Sequence, residues 1–195
     1  MKQLTANWGI TPLAVLAGSL YAPAGLLLAS LGSTVAPLPD WYLALLRGPF
    51  TYFILLSVLV IAPLVEELVF RKFAITMLLR GEIAPIAAVL LSAAAFASIH
   101  LNAAQAVPAF ASGVFAGYLY LTSGRVMPCI AMHSAYNGSF AVLVAAYPSS
   151  IEALANRQVI APGATGWLGI FTATLAFSVV YWLAVRRRAN TAVPS

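Results

Sequence analysis

Three pairs of side chains, each pair separated by four positions, interrupt stretches of the sequence that are otherwise almost uniformly apolar. The pairs are Glu67 and Arg71 in VEELVFR, Phe96 and His100 in FASIH, and His133 and Asn137 in HSAYN. Only 8% of the chain is charged, and both of its histidines belong to these pairs. An ionisable side chain at the centre of a membrane helix costs about 2.5–3.5 kcal/mol, so such residues are candidates for function.

The first motif separates two acidic side chains by role. Residues four apart lie on one helix face, so Glu67 and Arg71 can form an ion pair. The adjacent Glu66 points about 100° away and has no such partner in its own helix. An unpaired carboxylate in a poorly solvated site is a better base for water than a surface carboxylate. We therefore expect Glu66 to do chemistry, unless all three residues are ordinary solvated charges at a helix end.

The second and third motifs carry the histidines. His100 ends a helix of small residues, where it could also be an interfacial residue or a C-terminal cap. His133 and Asn137 share a helix face, so an imidazole and a carboxamide point the same way. Two directed donors are what a developing oxyanion requires, and losing one typically costs about 2.7–4 kcal/mol of barrier. The alternative is a structural hydrogen-bonding pair between helices.

The composition is that of an integral membrane protein. The chain has 195 residues, is 62% hydrophobic and has a mean hydropathy of +0.94. A soluble domain of this size carries about three times as much charge. The net charge of +5 comes from basic residues scattered at segment ends, so we expect no nucleic-acid partner. The single Cys129 excludes an internal disulfide and a cysteine-based metal site.

The apolar runs predict an all-α, polytopic transmembrane helix bundle of about six spans, forming a single domain over residues 1–195 with a motif-bearing core at 49–147. The predicted helices cover about residues 9–31, from 49 through the first motif, 83–100, 106–121, 126–147 and 166–185. Between the last two, IEALANRQVI predicts a short surface helix with Ser150 as its N-cap.

The basic residues also predict an orientation. With both termini cytoplasmic, most positive charges fall inside and only Arg47 and Arg157 fall outside. The inside residues are Lys2, Arg71, Lys72, Arg80, Arg125, Arg186, Arg187 and Arg188. We expect a location in the inner or plasma membrane, with the lipid bilayer as a partner.

The three motifs, taken in order, resemble those of the CAAX-processing and bacteriocin-processing (CPBP, Abi) endopeptidases, a family of glutamic-type intramembrane proteases. EELVFR is similar to the family's EExxxR motif, FASIH to FxxxH and HSAYN to HxxxN, over about residues 62–137. The one departure is Lys72, where many members have glycine. This resemblance implies hydrolysis of a membrane-associated or lipid-modified protein or peptide, with no metal or other cofactor.

The resemblance also implies roles for the residues. Glu66 and His100 would activate the attacking water, while His133 and Asn137 would hold the oxyanion. Glu67 and Arg71 would support them, and Phe96 would help to place His100.

Two alternatives stay open: a zinc protease that uses Glu66, His100 and His133 as ligands, and a non-catalytic immunity or scaffold protein. A transporter is disfavoured, because no internal repeat is detectable.

The sequence leaves the relative depth of the motifs open. A simple hairpin around Arg80 matches Glu66 and His100 but leaves His133 about 15 Å out of register, at about 1.5 Å per residue. A kink at Pro63, a tilted fourth helix or a deeply placed turn at residues 123–128 could remove the mismatch.

Overall fold

A computed structural model describes residues 10–49, 51–160 and 163, and all regular structure in these ranges is helical. The helices are α1 (Ile10–Val35), α2 (Asp40–Arg47), α3 (Tyr52–Arg80), α4 (Pro85–Ser98), α5 (Ala103–Ser123), α6 (Met127–Ala146) and α7 (Ser149–Ala155). The predicted all-α class is therefore confirmed. The sixth predicted span, at 166–185, and the arginine triplet lie outside the described residues.

Three of these helices are long and apolar enough to cross a membrane, namely α1, α3 and α6. Helix α4 is apolar but has only 14 residues. Within the described part of the chain, three candidate spans are therefore found, and the predicted count of about six is not confirmed. One helix, α2, lies in a segment for which the sequence predicted no element, because its eight residues follow directly on a proline-bearing connector.

Helix α3 is not a regular α-helix. It widens into π-helical turns at Ser57–Ile61 and again at Leu68–Ile75. Pro63 explains the first widening, since it has no N–H to donate to a carbonyl in the preceding turn. In a π-helix the Pro63 nitrogen would face the carbonyl of Val58, five residues earlier. Pro63 therefore cannot donate to the carbonyl of Val58.

Helix α1 packs closely against α6 and α5 in the bundle. Gly18, Gly25 and Gly32 repeat every seven residues along one side of α1. A Cβ atom at Gly18 would collide with the backbone carbonyl of Met132, and one at Gly25 would collide with the Tyr136 ring. These glycines therefore permit a helix spacing that larger residues would prevent.

The short helices α2 and α7 close one end of this bundle. Their apolar side chains join one buried cluster, which includes Tyr42, Leu46, Ile151 and Leu154. An exposed ion pair of 3.1 Å between Arg47 and Glu152 also connects the two helices.

The predicted short helix is present as α7, but the prediction that Ser150 is its N-cap is wrong. Helix α7 begins at Ser149, and the Ser150 hydroxyl donates to the Tyr147 carbonyl at 2.7 Å instead of accepting from the helix. Ile151 and Leu154 are buried, because the helix packs onto the bundle.

Arg71 is one of the residues that the orientation argument counted on the cytoplasmic side. Its side chain is fully buried among α3 and α4, where it pairs with Glu67. Arg71 therefore gives no information about orientation, and the positive-inside argument rests on the remaining residues.

Candidate active site

The Glu67–Arg71 pair predicted from the spacing of four is present and buried. Arg71 Nε donates to Glu67 Oε2 at 2.9 Å, and both side chains are 1% exposed. Arg71 also donates from a terminal nitrogen to Ser92 Oγ at 3.2 Å, and that hydroxyl donates to the Phe70 carbonyl at 2.6 Å. A buried charge pair is tolerated only when its remaining donors and acceptors are satisfied, and Ser92 supplies this for Arg71.

His133 lies between the two acidic residues of the first motif. Its Nδ1 atom is 3.0 Å from Glu67 Oε1, and its Nε2 atom is 3.7 Å from Glu66 Oε2. The carboxylate of Glu67, which is paired with Arg71, can only accept a hydrogen bond. The Nδ1 atom of His133 therefore carries a proton and donates a hydrogen bond to Glu67. Glu67 therefore orients the His133 ring so that Nε2 faces Glu66.

Phe96 is the packing centre of the site. Its side chain is 2% exposed, and the rings of His100 and His133 both meet it edge-on, at centroid distances of 5.0 and 5.7 Å. The Arg71 guanidinium lies 5.0 Å from the same ring centroid. Aromatic and cation–π contacts of this kind restrict ring orientation as well as position. The expectation that Phe96 helps to place His100 thus extends, in the geometry, to His133 and Arg71.

His100 lies just after the end of α4, in the turn that leads to α5. Its Nδ1 atom is 3.0 Å from the Phe96 carbonyl oxygen. A carbonyl oxygen can only accept, so Nδ1 carries a proton, and in the neutral ring Nε2 is left as the acceptor. Nδ1 thus faces the helix that precedes His100. Nε2, the nitrogen that can accept a proton, faces away from that helix.

Asn137 bonds to the irregular part of α3. Its side-chain nitrogen donates at 2.8 Å to the carbonyl of Val58, which lies in the first π-helical turn of α3 and five residues before Pro63. One Asn137 N–H is thereby used structurally, while the second N–H of the carboxamide is a further donor. Asn137 therefore connects α6 to α3 and also lines the cavity described next.

A cavity of about 160 Å³ joins these residues. His100, His133 and Asn137 line it, together with Tyr136. The rest of its wall is mostly apolar and comes mainly from α2, α3, α5 and α6, with Ala29 of α1 and Phe96 of α4. Glu66 does not line this cavity, but its carboxylate is 3.7 Å from Nε2 of His133, which does. The combination of a mostly apolar wall with a few convergent polar groups is typical of a substrate site.

The depth mismatch foreseen from the hairpin geometry does not occur, since His133 contacts both Glu66 and Glu67. His133 is about 9 Å of helix from the start of α6, whereas Glu66 is about 21 Å from the end of α3, at about 1.5 Å per residue. The turn at Gly124, which has a left-handed φ of 67°, and the turn at Gly81 therefore lie at different depths, or the helices tilt.

Sequence reasoning missed three contributors to the site, namely Ser92, Asn102 and the Val58 carbonyl. Ser92 could have been found, because it precedes Phe96 by four residues and so shares its helix face. Asn102 could have been recognised as the N-cap of α5. The Val58 carbonyl could not, since backbone groups carry no sequence signal.

In the described residues, the fold and site together define an all-helical membrane protein with a partly buried cluster of glutamates, histidines and an arginine. Residues 48–139 match the family model described as type II CAAX prenyl endopeptidase Rce1-like. This part of the chain contains all three motifs, so the match confirms the resemblance to CAAX-type intramembrane proteases that the motifs indicated. No curated protein and no solved structure gives a significant match to the chain.

Proposed function

We propose that this protein is a metal-independent intramembrane endopeptidase in which Glu66 and His100 activate water, and His133 and Asn137 stabilise the oxyanion. The observation that carries the proposal is the position of His133 between Glu66 and Glu67, beside a cavity that His100 and Asn137 also line. Membership of a protease family supports the reaction class.

The reaction begins with Glu66 and His100 Nε2 as acceptors for the protons of a water molecule. As one proton leaves, the water oxygen attacks the scissile carbonyl carbon and the carbonyl oxygen becomes negative. His133, with a proton on Nε2, and Asn137 donate to that oxygen. Collapse of the intermediate breaks the C–N bond, and the proton taken from water passes to the leaving amine.

The pairing of His133 supports its role as a donor. With Nδ1–H held by Glu67, a proton on Nε2 gives an imidazolium between two carboxylates. The Glu66 carboxylate is 3.7 Å from Nε2, which is beyond hydrogen-bond distance, so a proton on Nε2 is available to a forming oxyanion. Glu66 then remains free to act as the base for the water.

For the substrate we propose a peptide or protein held at the membrane by a lipid group or an apolar segment. The mostly apolar cavity wall beside His100 and His133 supports this class. The family description names prenylated CAAX sequences, and we take a farnesylated CAAX peptide as the first probe.

The decisive experiment measures cleavage of a quenched, fluorescent, farnesylated CAAX peptide by the purified protein in nanodiscs. We expect Glu66→Gln to abolish cleavage while the thermal unfolding temperature stays close to that of the wild type. Glu82→Gln is the matched control, because Glu82 is an exposed carboxylate in the turn after α3. Full activity of Glu66→Gln would overturn the proposed mechanism.

The zinc alternative makes a different prediction about chelators. Among the described residues, no group of three His, Cys, Asp or Glu side chains is arranged to hold a metal ion. We expect cleavage to survive exhaustive treatment with a zinc chelator. Loss of activity that returns only on addition of Zn²⁺ would favour the metal mechanism.

A further inference from the structure

The turn that carries His100 is held in a conformation that its sequence does not favour. Leu101, directly after His100, has a φ of 56°, a left-handed conformation that is uncommon for a leucine. The Leu101 side chain is 88% exposed, so it gains little from packing. Something other than Leu101 must therefore hold the turn between α4 and α5.

Asn102 supplies the bonds that hold this turn. Its side-chain nitrogen donates to the His100 carbonyl at 3.0 Å. Its side-chain oxygen accepts from the backbone N–H of Gln105 at 2.9 Å, which caps the first turn of α5. The carboxamide of Asn102 thus uses one end on His100 and the other on the helix that follows.

Gln105 fixes which way the Asn102 carboxamide faces. Asn102 Nδ2 also donates to Gln105 Oε1, so the nitrogen end cannot exchange with the oxygen end without losing all three bonds. Gln105 and Tyr42 of α2 line the same cavity. Burial raises the pKa of Tyr42 to about 12, so its hydroxyl stays neutral at physiological pH. A polar chain therefore runs from Gln105 through Asn102 to the backbone of His100.

We infer that Asn102 is a positioning residue for His100, holding the strained turn so that the Nδ1–H of His100 stays on the Phe96 carbonyl and Nε2 faces the cavity. This inference rests on the proposed function of His100. Asn102 acts through the turn and has no direct role in the reaction. Small displacements of a reacting group lower rates sharply, about 100-fold for an error of about 1 Å.

The test separates the two bonds of Asn102. In Asn102→Ser the hydroxyl can still cap α5, but it is too short to replace the bond to the His100 carbonyl. In Asn102→Ala both bonds are lost. We expect kcat for the farnesylated CAAX peptide to fall about 10- to 100-fold in both variants with KM nearly unchanged, while the unfolding temperature falls mainly in Asn102→Ala.

The matched control is Thr51→Ala, which removes the N-cap of α3 without touching the turn at His100. We expect this variant to lose thermal stability while it keeps its kcat. Wild-type kcat in Asn102→Ser would overturn the inference, because the cap alone would then be sufficient.

A second measurement does not depend on cleavage. The ¹⁵N chemical shifts of His100, in protein labelled at histidine, report which ring nitrogen carries the proton. We expect the wild type to show the Nδ1–H tautomer and Asn102→Ser to show a mixture. Identical shifts in the two proteins would overturn the positioning role, whereas an inactive wild type with these different shifts would overturn only the proposed function.

Discussion

The Nδ1 atom of His133 lies 3.0 Å from Oε1 of Glu67, although 66 residues separate them in the chain. The other oxygen of Glu67 accepts from Arg71, so this carboxylate bridges the first and third motifs. Glu67 is thus more than the counter-ion of Arg71. It also determines which nitrogen of His133 faces Glu66, which explains why two adjacent glutamates can serve different purposes.

Replacing Arg71 with methionine should strongly destabilise the protein. The change leaves the carboxylate of Glu67 buried without its strongest partner, and breaking a buried ion pair in this way costs about 3–5 kcal/mol. The measurement is thermal or denaturant unfolding in a fixed detergent. Lys72→Met is the control, since Lys72 is exposed and adjacent in sequence, and it should change stability by less than about 1 kcal/mol. Equal losses in the two variants would contradict the burial of the pair.

Replacing Phe96 with leucine should lower activity more than its effect on folding explains. Leucine preserves most of the apolar volume, but the edge contacts to His100 and His133 and the contact with Arg71 are lost, at about 1–3 kcal/mol. We expect a kcat reduced about 10-fold in protein that still unfolds cooperatively. Phe110→Leu is the control, because Phe110 is exposed on α5, and it should keep the wild-type kcat.

Replacing Gly18 with alanine should separate α1 from α6 and destabilise the bundle by about 1–3 kcal/mol. The added methyl would meet the backbone carbonyl of Met132, which cannot rotate away as a side chain could. Because Met132 precedes His133, activity should fall as well.

Gly138→Ala is the matched test of this packing argument. A methyl at Gly138 would meet only a Leu59 methyl at 3.5 Å, and alanine favours a helix over glycine by about 0.5–1 kcal/mol. Gly138→Ala should therefore be neutral or slightly stabilising in the same unfolding assay. A result in which Gly18→Ala is the milder change would refute the close approach of α1.

Much of the site could be predicted from local spacing. The Glu67–Arg71 pair follows from a separation of four residues in a helix, which is a property of the helix itself. The helical class follows from apolar runs, since lipid requires backbone groups to be satisfied within a segment. The difference between Glu66 and Glu67 also follows, because adjacent residues point in different directions.

The contacts between motifs depended on the tertiary structure. Spacing within a helix does not give the depth at which two helices meet, so the depth of His133 relative to the two glutamates stayed open. The partner of Asn137 is the backbone carbonyl of Val58, and backbone groups carry no sequence signal. The contact of Arg71 with Ser92 likewise depended on packing against α4.

The sequence by itself thus determined the kinds of side chain available for catalysis and the helix face on which each one lies. These properties depend on chain-local geometry, which repeats in every helix. Only the tertiary structure decided that Glu67 orients His133, that Asn137 holds α3, and that Asn102 holds the turn at His100. Such contacts join residues on different elements, and their distances depend on how irregular helices tilt and pack.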